Sequence, residues 1–93
     1  MEIFWKEHAK ERFWERALLF DLNFAEAELA LKKQKVKIFE GFDKKYKTNK
    51  YAFIEKFNNC FITFMKAESR KIIYVITLRE SSEKEEKIWR KKQ

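Results

Sequence analysis

The sequence predicts a small α+β domain, and three observations carry that reading. Apolar residues repeat at helical spacing up to about residue 33, the spacing switches to two-residue alternation after Gln34, and a Ser-x-x-Glu signal near the end opens a last helix. The 93 residues make one domain, 1–93, long enough to bury roughly 60 to 65% of the surface an unfolded chain exposes. Hydrophobic residues are 45% of the chain and aromatic residues 17%, so a packed core forms beside 40% charged residues.

Taken in order, Ile3 to Trp5 is a short first strand. From Glu7 to Phe20, Ala9, Phe13, Ala17 and Phe20 fall on one helical face, with His8, Arg12 and Arg16 in an adjacent row. Asp21 or Asn23 offers an N-cap, and Asn23 with Glu26 resembles a capping box, for a second helix through Phe24, Ala27 and Leu31, and Lys32 and Lys33 suit its C-terminal end. Strict alternation over Lys35–Phe42 sets Val36, Ile38, Glu40 and Phe42 on one face against Lys35, Lys37 and Phe39 on the other. The polar loop DKKYKTNK leads to a strand at Tyr51–Phe57, a tight turn at Asn58 and Asn59, and a strand at Cys60–Ala67. Lys71–Leu78 carries IIYVITL, apolar on both faces, which places it in the middle of the sheet. Ser82 with Glu85 then caps a charged helix carrying Ile88 and Trp89. The order reads β-α-α-β-β-β-α with an antiparallel sheet.

The net charge of +7 is unevenly spread. Residues 1–31 hold four basic and seven acidic side chains, a balance of −3, whereas residues 32–93 hold eighteen basic and eight acidic, a balance of +10. Such a field favours polyanions, chiefly nucleic acid, and makes binding fall with salt. Lys44, Lys45, Lys47 and Lys50, interleaved with Tyr46 and Tyr51, suit a phosphate chain with splayed bases; Lys35, Lys37, Lys56 and Lys66 extend the patch if they share a face, and Arg70 is a further candidate contact. The bland alternative is a solvated loop. Arg79 stands where the apolar strand hands over to the last helix, a rigid place for a phosphate-gripping guanidinium or for an ion pair with a nearby acid.

Nucleotide-cofactor and zinc-hydrolase motifs are absent, and one cysteine with one histidine makes neither a disulfide nor a Cys/His zinc site within the chain. No metal and no cofactor are expected. Cys60 reads as a small buried hydrophobe. The charged start MEIFWKEHAKE and the lack of a long apolar run predict a cytoplasmic protein with no membrane partner.

The stretch HAKERFWER resembles the H-A-x-x-R-[MF]-x-E-R opening of a widespread domain family of unknown function, matching at His8, Ala9, Arg12, Phe13, Glu15 and Arg16. NFAEAELAL and YVITLRESSEKEEKIW are similar to the second helix and the ending of BrnT toxins, a branch of the RelE-like toxin fold. Ala17 departs from the glycine usual after the opening motif, and the lysine-rich middle has no clear counterpart. The resemblance implies a metal-independent endoribonuclease toxin acting on RNA, free or ribosome-associated mRNA, and held by a cognate antitoxin. It would place His8, Arg12 and Arg79 as catalytic groups at the scissile phosphate, with Arg16 and the lysine patch binding RNA. The rival is a non-catalytic nucleic-acid-binding or protein-inhibiting regulator. Whether the chain forms a homodimer is left open.

Overall fold

A computed structural model describes residues 2–33 and 35–92, the side chain of Phe20 excepted. Strand β1 (Glu2–Trp5) leads into helices α1 (Glu7–Phe20) and α2 (Phe24–Lys33). Strands β2 (Lys37–Asp43), β3 (Thr48–Phe57), β4 (Cys60–Glu68) and β5 (Ile72–Glu80) follow, and α3 (Glu83–Lys91) closes the chain. All four strands expected after the helices are present, so the order is β-α-α-β-β-β-β-α, one strand more than the order β-α-α-β-β-β-α counts. The sheet runs β1-β5-β4-β3-β2 and is mixed, because β1 pairs parallel with β5 while the other pairs are antiparallel. The expected all-antiparallel sheet is corrected by that pairing, which joins residues about 70 apart in sequence and leaves no local signal. β5 is interior, and β4 is the middle strand.

Local chemistry sets the element ends. Asn23 Oδ1 accepts from Glu26 N at 3.1 Å, as its capping role requires, and Ser82 and Glu85 form a complete capping box on α3. The two-residue β3–β4 turn puts Asn58 at φ 55°, a left-handed conformation that asparagine tolerates. Within β2 the register slips between Phe39 and Gly41, a β-bulge, and Gly41 takes φ 112°, which side-chain-bearing residues rarely adopt.

One sheet face carries both α1 and α2. Ala9 and Phe13 of α1 and Ala27, Ala30 and Leu31 of α2 bury against Trp5, Phe53, Ile62, Phe64, Ile73, Val75 and Leu78. The Trp5 ring lies edge-on to Phe13 at 5.6 Å and to Phe64 at 6.2 Å, and its Nε1 donates to Glu28. Each fully buried large side chain here contributes ~1.5–3 kcal/mol. Ala17, expected on the buried face, is half-buried at its edge, and the Phe20 side chain lies outside the described residues. The opposite face carries α3 at one end, where Trp89 meets Phe61 edge-on at 5.2 Å and donates through Nε1 to Glu55. Among the described residues no helix is long and apolar enough to cross a membrane.

Candidate nucleic-acid interface

The strand register brings the β2–β3 turn and the β4–β5 turn to the same end of the sheet, since Thr48 Oγ1 donates to the Glu68 carbonyl. At this end lie Lys44, Lys45 and Lys47 in the β2–β3 turn, Lys50 on β3, Arg70 in the β4–β5 turn and Lys66 on β4, and the ammonium of Lys37, the first residue of β2, reaches in to Glu68. Seven of the ten cations expected to contact RNA therefore have their charges at one end of the molecule. Arg16, Lys35 and Lys56 are at the other, Lys35 and Lys56 beside Glu55 and Phe57, and Arg16 near Cys60.

The lysine loop is a fixed turn. Asp43 Oδ1 accepts from the backbone N of Lys45 and Tyr46 at 2.9 and 3.0 Å, and Lys47 closes the turn at φ 52°. Tyr46 stacks on Tyr74 at 4.4 Å, with the Lys6 and Lys45 ammonium groups 5.9 and 5.8 Å from its ring centroid. Tyr51 lies under the Lys37 ammonium at 4.4 Å and against the edge of Phe39. Both tyrosines offered by the sequence as stacking rings are thus engaged within the protein. Lys44, Lys45 and Lys47 stay exposed, held around a rigid tip.

Behind them sits a charged triad. The two carboxylate oxygens of Glu68 accept from Lys37 and Lys66 at 2.8 and 2.9 Å. Lys66 is fully buried, with its ammonium 5.5 Å from the Phe53 ring centre. Burial lowers the Lys66 pKa, against the opposing pull of Glu68; burial alone would raise that of Glu68, but the two lysine hydrogen bonds lower it. Lys66, expected among the RNA contacts, is instead an internal strut with no access to solvent, because β4 is the middle strand and its side chain points to the helix-bearing face.

The three expected catalytic groups do not converge. His8 is exposed in the first turn of α1, and among the described residues its side chain makes no hydrogen bond or ion pair. Arg12 pairs loosely with Glu15 at 3.9 Å. Arg79 registers with Thr63 on the face that carries α3, whereas α1 covers the other face. Its guanidinium grips Glu85 with two bonds, 2.6 and 2.9 Å, and also donates to the Glu80 carbonyl. Partial burial pushes the Glu85 pKa up, but the bonds from Arg79 and Ser82 outweigh it and bring the carboxyl down to about 2. The hydrogen bonds to Glu85, more than its charge, raise the Arg79 pKa despite partial burial. Thr63 and Ser81 hydroxyls meet at 2.7 Å beside this pair.

Near the C-terminal end of α1, an open cleft of about 480 Å³ is lined by Asp21, Asn58, Asn59, Cys60, Glu80 and Glu86 among others. Burial, with Glu80, raises the Cys60 thiol pKa, against the opposing charge of Arg16, so at neutral pH it is a poor nucleophile.

Strict alternation misplaces two rings. Phe39 and Phe42, assigned to opposite faces by the sequence pattern, share one face because the bulge inserts a residue between them, and they are 61% and 60% exposed. The available signal was Gly41, the single glycine in the chain, set inside a strand pattern. Comparison of the chain with protein-family models, curated proteins and solved structures finds no match.

Proposed function

We propose that this chain binds single-stranded RNA through the lysine-rich end of its sheet, on an α+β plan of RelE/BrnT type. The observation that carries this reading is the gathering of Lys44, Lys45, Lys47 and Arg70, from two separate turns, and Lys50 of β3 around a tip fixed by Asp43 and by the Tyr46–Tyr74 stack. A fixed turn presents these cations to a flexible phosphate chain without the loop first having to order itself. Polyanion binding follows from these charges alone, with or without turnover.

A second reading, the metal-independent endoribonuclease toxin with its cognate antitoxin, is favoured by a different observation. Arg79 sits at a strand-to-helix corner beside two hydroxyls, and a phosphate competing with Glu85 for that guanidinium would find a bidentate donor already oriented. In this reading Arg79 stabilises phosphorane charge and His8 plays no part, since α1 carries it away from that corner.

Incubating the purified chain with labelled mRNA, with and without ribosomes, separates the readings. Salt-sensitive binding without cleavage supports the RNA-binding protein. Cleavage lost in Arg79→Ala and kept in His8→Ala supports the toxin. Absence of both binding and cleavage at low salt refutes both.

A further inference from the structure

The β2 bulge does one thing that ordinary pleating would not: it presents two phenylalanine rings on the same side of an edge strand. Phe39 pairs in register with Tyr51 and Phe42 with Asn49, so their backbone positions stand two partner-strand residues apart, ~6.8 Å along the sheet. That is twice the ~3.4 Å stacking distance of nucleic-acid bases. Exposed rings carried at that backbone spacing can receive one base between them. Resting on the RNA-binding reading above, we infer that Phe39 and Phe42 form a base-receiving site, in which a splayed nucleobase of a single strand stacks against the exposed phenyl rings while neighbouring lysines hold its phosphates.

Three observations favour this occupant. The rings are mostly exposed, and among the described residues Phe42 has no aromatic partner. Residues 37–50 hold Lys37, Lys44, Lys45, Lys47 and Lys50 against Glu40 and Asp43, a local balance of +3. A second copy pairing along the free edge of β2 would bring two such clusters together, whereas a polyanion with flat rings meets both the charge and the apolar surface. Gly41 supports the site: its φ of 112° sustains the bulge that turns Phe42 to the same side as Phe39.

The test uses the full chain, a fluorescent oligouridylate and an abasic ribose-phosphate strand of equal length, with anisotropy as the readout. Wild type is expected to bind the base-bearing strand about ten-fold more tightly than the abasic one, and F39A/F42A to lose that preference while binding the abasic strand as before. F39L/F42L, which keeps apolar bulk, is expected to lose it too; F42W is expected to retain it. Urea unfolding at an unchanged midpoint verifies that the variants fold. Wild type that binds both strands equally, or F39A/F42A that keeps the preference, overturns this site and leaves the RNA-binding reading standing. No binding of either strand at low salt overturns both. A sedimenting dimer that F42A dissociates shows a second copy as the occupant and overturns the base site.

Discussion

Removing the charge of Glu85 tests how α3 is fastened to the sheet. Its carboxyl sits at about 2, against ~4.5 when unperturbed, so the full linkage value would be ~3.4 kcal/mol. Arg79 is 49% exposed, and solvent screening reduces the contribution to ~1–2 kcal/mol. The sign follows from the lowered pKa: the stabilisation is complete above ~4.5 and is lost as pH falls from there through about 2. Urea unfolding of wild type and Glu85→Gln at several pH values gives the difference directly. At pH 7 the variant is expected to be less stable by ~1–2 kcal/mol, with the gap closing between pH 4.5 and 2 as wild type loses the charge that the variant lacks throughout. A gap that is constant with pH would refute the ion pair as its source, and no gap would refute the fastening itself.

Three further outcomes follow from packing and backbone geometry. Glu68→Ala leaves the buried Lys66 ammonium without its carboxylate and is expected to cost ~3 kcal/mol, whereas Lys66→Met leaves Glu68 its Lys37 partner and is expected to cost under ~1 kcal/mol; urea midpoints compare the two. Gly41→Ala meets no neighbouring atom within 4 Å but forces a side chain onto positive φ, and is expected to lower stability by ~1–2 kcal/mol, measurable by thermal unfolding. Phe13→Ala, at a fully buried position between Trp5 and Phe24, is expected to cost ~3–5 kcal/mol, read from the same urea curves.

What the sequence made legible was local. The α1 boundaries, the Asn23 and Ser82 caps and the Asn58 turn each depend on residues within four positions of one another, and each is present in the fold. The parallel pairing of β1 with β5 depends on distant residues, and nothing near Ile3 announces it. The site divides the same way. Clustering of the loop lysines was readable from their spacing, but the fates of Tyr46, Tyr51 and Lys66 were set across strands, by Tyr74, Lys37 and Glu68. His8 illustrates the limit most sharply: the row His8, Arg12, Arg16 is real on α1, yet α1 covers the face away from Arg79. Only the assembled sheet decides that a helix row and a strand end do not meet.

The central claim is that lysines around the β2–β3 turn hold an RNA backbone, and the salt dependence of binding tests it most directly. For single strands the slope of log affinity against log salt is about −0.7 per phosphate neutralised. K44Q/K45Q/K47Q removes three exposed ammonium groups and is expected to make the slope shallower by about 2 relative to wild type, with the fold intact. An unchanged slope, or a wild-type chain that binds no RNA at ~50 mM salt, would contradict the account.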